Sequence, residues 1–296
     1  MRYAFAVLIA SFAALCCASG ASAQSASPQE KNRSFQEYAP WLDPSLKLRD
    51  YHIHLRGGMT AEMAVERAEK TGVRSGVLEN HGREWPLSSN ELLDEFIAGV
   101  EKVNQTLPKD KKLRIGIQVN DRDWYKTIDP KIYRRLDYVL ADTMIMGKRP
   151  DGSDERLWQL PKDYDVDQDE WFERYYKHCM TVVNEPIDIL ANVTYLPDFI
   201  ADRYDELWTE ERMTALIQAA IDNNVALEIQ VESAFPKPKF VELALKMGAK
   251  LEFGSNNFDA AMKDTAAWKN VIERFNIKPE NLWRDRKDER LVNGAR

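Results

Sequence analysis

Cysteine is nearly missing from this chain, and the few cysteines present cannot crosslink a fold. Cys16 and Cys17 lie in the first apolar run of the sequence, and Cys179 is the only other one. If that run is a removed leader, a single cysteine remains, and no disulfide within the chain can form. The fold must therefore be stabilised by its apolar core.

The sequence also lacks clustered basic residues and a second long apolar run. Its net charge is −7, and no basic stripe stands out. Nucleic acid is disfavoured as a partner, because binding phosphates requires clustered cations. After residue 23 no stretch is apolar over the roughly 20 residues that a membrane-spanning helix needs. We expect a small-molecule substrate as the partner and no membrane span, and the oligomeric state stays open.

The first apolar run has the organisation of a secretory signal peptide. Arg2 precedes the apolar residues 4–18, and Ala21 to Ala23 supply the small residues that signal peptidase recognises. The run is too short for a membrane span. We expect cleavage near Ala23 and a periplasmic or secreted mature protein.

Short apolar runs alternate with helical patterns through residues 47–296. Seven such units predict parallel strands covered by helices. Polar residues gather at the carboxyl ends of the predicted strands, which favours a closed barrel, because barrels carry their sites there. The predicted fold is α/β, a distorted (β/α)7 TIM-like barrel. It forms a single domain after a signal peptide and a polar leader at 24–46, with a long loop at about 145–168.

The first predicted helix illustrates the pattern. Thr60 is a helix cap and Gly72 a helix end. Ala61, Val65 and Ala68 recur on one face, which we expect to pack against the barrel.

Histidine is scarce too, and two of the four histidines stand one residue apart in the stretch YHIHLRGG. Residues i and i+2 of a strand point to the same side, so His52 and His54 project together near the mouth of the first strand. Imidazoles suit zinc or manganese. The pair predicts either one ion bound by His52 and His54 or two hydrogen-bonded histidines without metal. His178 lies in a helical pattern, where we expect a structural role.

Other polar residues at the strand ends complete the candidate site. The predicted catalytic residues are His52, His54, His81, Asp142 and Glu228. The predicted substrate-binding residues are Arg56, Glu79, Gln118, Arg122, Asn192, Tyr195, Gln230 and Asn256. Histidine titrates near neutral pH and suits proton transfer, whereas the arginines favour an anionic group on the substrate.

Three tryptophans and two turn residues receive separate interpretations. Trp85, Trp124 and Trp158 follow predicted strands and are candidate lining residues of the site. Asn120 and Asp123 are interpreted as caps or turn formers.

The order of these segments resembles the PHP (polymerase and histidinol phosphatase) domain. The resemblance covers roughly residues 48–285 and rests on the segments DYHIHL, LENHG, IGIQV, DYVLADTM, DILANVT, LEIQ and FGSNNF. It implies a seven-unit (β/α) barrel, and in that family these segments bind up to three metal ions that hydrolyse phosphoesters. His52, His54 and His81 match the family's ligands in the first two segments.

The chain departs from the family pattern at the remaining ligand positions. Gln118 stands where the family has a bridging glutamate, Asn192 where it has a histidine, and Asn256 where it has an aspartate. Met144 and Phe258 fall where histidines are expected. An amide keeps the shape of a carboxylate but removes the charge that a cluster of cations needs. The resemblance therefore implies at most one metal ion.

Three functions are compatible with these features. The first is a secreted or periplasmic hydrolase using at most one metal ion, which would lower the pKa of a bound water. The second is a metal-independent lyase or isomerase with a histidine base, for example on an aromatic or sugar-type substrate. The third is a non-catalytic ligand-binding protein. We expect the first, acting on a small anionic or hydroxylated substrate, and keep the others as alternatives.

Overall fold

A computed structural model describes residues 42–149, 152–230, 235–260 and 265–285. The predicted signal peptide lies outside the described residues, as does most of the predicted leader. In chain order the strands are β1 (Arg49–His54), β2 (Arg74–Leu78), β3 (Asn80–His81), β4 (Arg114–Val119), β5 (Tyr138–Asp142), β6 (Ile145–Lys148), β7 (Asp154–Arg156), β8 (Ile189–Ala191), β9 (Ala226–Ile229) and β10 (Leu251–Phe253).

Seven parallel strands close into a barrel, which confirms the predicted TIM-like fold. Around the ring the order is β2–β1–β10–β9–β8–β5–β4, and β4 pairs with β2 to complete it. The short strand β3 continues β2 along β4. The carboxyl ends of all these strands meet at one mouth, where barrels carry their sites.

Helices surround the barrel between the strands. They are α1 (Ala61–Thr71), α2 (Asn90–Gln105), α3 (Trp124–Thr127), α4 (Pro130–Tyr133), α5 (Gln168–Val183), α6 (Tyr204–Leu207), α7 (Glu210–Asp222), α8 (Pro238–Met247) and α9 (Trp268–Phe275). None of the helices in the described part of the chain has the length and hydropathy needed to cross a membrane.

The predicted ends of α1 are confirmed, and so is part of its predicted buried face, because Ala61 is buried and Val65 packs against the core. The Thr60 hydroxyl accepts a hydrogen bond from the Met63 amide at 3.3 Å, and Gly72 ends the helix at a φ of 74°. The buried residues are Ala61, Ala64 and Arg67. An arginine joins this face because its Nη1 lies 2.8 Å from Oδ2 of the buried Asp50.

The segment 145–168 is not a continuous loop. It contains the antiparallel hairpin β6–β7, in which Ile145 pairs with Arg156 and Lys148 with Asp154. Lys148 Nζ lies 2.8 Å from the Asp154 carboxylate, which joins the two strands through their side chains. Such short, charged strands have no apolar alternation from which the sequence could predict them.

The barrel domain begins before residue 47. Leu42 and Leu46 are each only 3% exposed and belong to the core. Arg284 donates hydrogen bonds to the carbonyl oxygens of Leu46 and Lys47 at 2.6 and 2.9 Å. The end of the predicted leader is therefore part of the folded domain.

Large side chains fill the amino-terminal half of the barrel. Tyr51 packs edge-on against Tyr138 and Trp283, with ring centroids 5.1 and 5.0 Å apart. Gly116 leaves room for the Tyr138 ring, which a Cβ at that position would overlap. The Tyr51 hydroxyl donates to the buried Asp285 at 2.8 Å. This half is closed, so the polar carboxyl-terminal half is the place for a site.

Candidate functional site

A buried carboxylate–histidine pair stands at the centre of the barrel mouth. Nδ1 of His52 lies 2.5 Å from Oε1 of Glu228, and the two residues are each 1% exposed. The second carboxylate oxygen of Glu228 accepts a hydrogen bond from the Asn192 backbone amide at 3.0 Å. Both oxygens of Glu228 are thus engaged, and the carboxylate fixes the orientation of the His52 ring.

Gln118 extends this pair to a second carboxylate. Its Oε1 lies 3.1 Å from Nε2 of His52, and its Nε2 donates to Oδ2 of Asp142 at 3.3 Å. The other oxygen of Asp142 accepts the Met144 backbone amide at 2.7 Å. Glu228, His52, Gln118 and Asp142 therefore form one continuous chain of contacts across the mouth, which we call the central network.

The orientation of the Gln118 amide favours the protonated form of His52. An ionised Asp142 only accepts hydrogen bonds, so the amide group of Gln118 faces it and the amide oxygen faces His52. Both ring nitrogens of His52 then face oxygen atoms, which is the environment of an imidazolium. Burial alone would lower the pKa of His52, but Glu228, with Asp142 and Asp50, outweighs burial and raises it above 6.5.

Asp142 has a pKa that suits proton transfer near neutral pH. Burial raises the pKa of its carboxyl group to about 6, although the Met144 amide and His52 act in the opposite direction. A carboxylate with this pKa is mostly ionised at pH 7 and is more basic than an exposed aspartate.

His54 lies beside the central network in a contrasting electrostatic environment. Its ring centroid is 5.1 Å from that of His52, and its Nδ1 is 3.5 Å from Oε1 of Glu79. The same glutamate oxygen accepts from Arg56 Nη1 at 3.3 Å and from the Asn80 backbone amide at 2.7 Å. Burial lowers the pKa of His54 to about 4, and the charges of His52 and Arg56 contribute. The pKa values of the two neighbouring histidines are therefore shifted in opposite directions.

Local backbone and side-chain size position Glu228. Asn192 has a φ of 54°, a left-handed conformation that directs its amide at the carboxylate. A Cβ on Gly254 would overlap the Glu228 carboxylate and lie 2.9 Å from the Cβ of His52. Non-glycine residues seldom adopt positive φ, and such strain is concentrated at functional sites.

Some predicted site residues are not joined to the central network by direct contacts. His81 lies beside Asp121 and the Leu87 backbone, and burial lowers its pKa. Arg122 is paired with Glu185, with Nη1 and Oε1 3.3 Å apart. The partly buried Tyr195 packs edge-on against Phe235, with ring centroids 5.2 Å apart.

Asn256 and Tyr195, at the mouth of the barrel, have unusual features. The partly buried Asn256 has a φ of 47°, a left-handed conformation like that of Asn192. Asp142 contributes to raising the pKa of Tyr195 after burial and Asp198, which places that hydroxyl within electrostatic range of the network. Their assignment to substrate binding stays a prediction.

The loop tryptophans have different environments. Trp124 is 1% exposed and its Nε1 donates to Glu185 at 3.0 Å, so it belongs to the core and not to an open site. The Arg156 guanidinium lies 4.6 Å from the ring of Trp85, which connects the hairpin β6–β7 to the segment after β3. Trp158 is 45% exposed.

The residues present fit a metal ion poorly. Within the described ranges no group of three or more His, Cys, Asp and Glu side chains is arranged to hold one. His52 uses both ring nitrogens in contacts with Glu228 and Gln118. The single ion on His52 and His54 stays a prediction for metal analysis to decide.

Comparisons with known proteins add no family assignment. The chain matches no protein-family model, and no curated protein matches it significantly. The resemblance to the PHP domain therefore stays a prediction.

Proposed function

We propose that the chain is a metal-independent acid–base enzyme, a lyase or isomerase, that acts on a small anionic or hydroxylated substrate. The observation that carries the proposal is the central network. It connects Asp142, whose carboxyl group has a pKa of about 6, to His52. The contacts of His52 with Glu228 and Gln118 favour its protonated form. Environments that separate the pKa values of neighbouring groups are typical of acid–base sites.

In this proposal Asp142 is the base and His52 the acid. Asp142 removes a proton from a carbon next to a carboxylate or carbonyl group, and the electron pair moves to that group's oxygen. The His52 imidazolium stabilises the new negative charge. In an elimination, the leaving hydroxyl displaces the Gln118 oxygen from Nε2 of His52, takes the proton of that nitrogen and departs as water. Asp142 then releases the substrate's proton to water and His52 takes up a proton from water, which restores both groups.

Two further residues support substrate binding. His54 is neutral at pH 7 and offers a hydrogen bond without charge. The side chain of Arg56 is 38% exposed, and its guanidinium lies beside Glu79. It is the cation that we assign to an anionic group of the substrate, since guanidinium pairs well with carboxylates.

Solvent exchange tests the activity without a known product. The protein is incubated in deuterated water with small hydroxy and keto acids, and proton NMR follows deuterium incorporation or alkene formation. We expect Asp142→Asn to lower the rate at least about a hundredfold, the usual contribution of a general base. Asp222→Asn, at the end of α7 on the opposite side of the barrel, should leave the rate unchanged.

Metal dependence separates the proposal from the hydrolase that the sequence favoured. We expect the purified protein to remain active in chelator and to contain less than one equivalent of zinc or manganese. Activity that is lost in chelator and returns with zinc would instead support the metal-dependent hydrolase. Binding without any turnover would support the non-catalytic alternative.

A further inference from the structure

Four amide side chains lie at the carboxyl ends of β3, β4, β8 and β9, at the mouth of the barrel that holds the central network. Three of them follow an inward-facing residue by two positions, so they face the same side of their strands. The pairs are Leu78 and Asn80, Gln118 and Asn120, and Glu228 and Gln230. Asn192 comes directly after the inward-facing Ala191, and its side chain is placed inward by its interaction with Asp142. We call Asn80, Asn120, Asn192 and Gln230 the amide collar.

The amide collar is buried but not satisfied by the protein. Its members are 3, 6, 4 and 3% exposed in chain order. The amide atoms without a hydrogen-bond partner among the described residues are Asn80 Oδ1, both of Asn120, Asn192 Nδ2 and Gln230 Nε2. The Asn192 amide lies close enough to Asp142 to influence it, yet not in full hydrogen-bond geometry. Buried polar atoms are almost always paired, so these require a partner from outside.

The chemistry of the amide collar selects the kind of partner. Amides carry no charge, and together these atoms offer both donors and acceptors. A hydroxyl group also donates and accepts, so several hydroxyls can satisfy such a set. An aromatic ring would leave the buried amides unpaired, and a site that hydrogen-bonds its substrate rejects such an analogue. A phosphate or cation would find no counter-charge in the collar.

We propose that the amide collar binds the hydroxyl groups of a polyhydroxylated, sugar-type acid. The inference rests on the proposed function only in assigning the reacting end of that acid to the central network and its carboxylate to Arg56. It selects between the sugar-type and aromatic substrates that the sequence left open.

Binding measurements test the inference independently of turnover. The protein is titrated calorimetrically with gluconate, galacturonate and their pentose-derived counterparts, and with hexanoate and benzoate as carboxylates without hydroxyls. We expect a hydroxylated acid to bind at least tenfold more tightly than hexanoate or benzoate. Asn120→Ala and Gln230→Met should each weaken that binding about fivefold, as the loss of one neutral hydrogen bond does.

A matched variant and circular dichroism separate binding from folding. Gln218→Met changes an exposed amide on α7 that contacts Asp222 and should leave the affinity unchanged. The inference is overturned if no hydroxylated acid binds, if benzoate binds as tightly, or if folded Asn120→Ala and Gln230→Met bind like the unmodified chain. Collar-dependent binding without solvent exchange would sustain this inference and reject the acid–base activity. Solvent exchange whose rate is unchanged by the collar substitutions would support the acid–base activity and reject this inference.

Discussion

At the scale of single residues, the central network depends on positions that contribute no side chain of their own to it. Glu228 fits only because Gly254, on the neighbouring strand end, leaves its volume free. Asn192 contributes a backbone amide rather than its side chain to the same carboxylate. A buried carboxylate needs such partners, because an uncompensated charge in the interior is strongly unfavourable. The geometry of His52 thus follows from a glycine and a left-handed asparagine.

Replacing Gly254 with alanine tests this dependence. The added Cβ would overlap the Glu228 carboxylate, so we expect the free energy of unfolding to fall by about 3 kcal/mol, as overpacking does. Gly99→Ala in α2 is the control, since a Cβ there meets nothing within 4 Å. It should stabilise the protein by about 0.5–1 kcal/mol. Urea denaturation followed by circular dichroism measures both variants. A Gly254→Ala variant as stable as the unmodified chain would show that Gly254 has no packing role.

At the scale of elements, a buried ion pair attaches helix α1 to the strands that carry the site. Oδ1 of Asp50 accepts the backbone amides of His52 and Ser255, each at 3.0 Å. Oδ2 of Asp50 is 2.8 Å from Arg67 of α1. One carboxylate therefore connects β1, the segment after β10 and α1. The helix contributes to the site by holding the backbone on which His52 is placed.

Arg67→Met should reveal the strength of this attachment. Removing the guanidinium leaves Asp50 buried with less compensation, so we expect a loss of about 3 kcal/mol in the free energy of unfolding. Arg83→Met is the matched control, because the Arg83 side chain is 63% exposed and pairs with Asp121 and Asp123 at the surface. That change should cost less than about 1 kcal/mol. Chemical denaturation of the two variants compares them directly, and similar losses would contradict a special role for Arg67.

The elements also show how far the sequence could predict the fold and the candidate site. Periodicity and caps predicted the alternating strands and helices and the ends of α1, because these are local properties of the chain, and the polar residues at the strand ends predicted the barrel. They could not predict that Arg67 is buried, because its partner Asp50 belongs to another element. The spacing of His52 and His54 predicted their shared direction. The sequence alone favours a cap or turn former at Asn120. Only the closed barrel shows that its amide atoms are buried without partners among the described residues.

At the scale of the whole molecule, the barrel interior is divided into two halves of different chemistry. The amino-terminal half contains interlocked aromatic rings, such as those of Tyr51 and Tyr138. The carboxyl-terminal half contains buried carboxylates, amides and histidines, some of which lack partners among the described residues. Burying unsatisfied polar groups lowers stability, so the aromatic half must compensate for the polar one. Function and stability are thus assigned to opposite ends of the same strands.

Acid should destabilise the whole molecule through uncharged histidines, such as the partly buried His178, whose Nε2 is shielded from water. Burial lowers the pKa of His178 to about 3, with a further contribution from Arg122. Below about pH 6.5 the unfolded chain binds a proton at this residue while the native chain does not, so stability falls as pH decreases. By pH 5 the contribution of His178 is a loss of about 1–2 kcal/mol.

His178→Gln removes this titration. The variant keeps Asp142, whose raised pKa increases stability as the pH falls, and His54, whose lowered pKa decreases it. We therefore compare the change in the free energy of unfolding between pH 7.5 and about pH 5 for the two proteins, by urea denaturation. The unmodified chain should lose about 1–2 kcal/mol more than the variant over this interval. Parallel pH dependences would mean that His178 takes up its proton in the folded protein as readily as in the unfolded chain. Its ring would then be accessible to water in the folded protein.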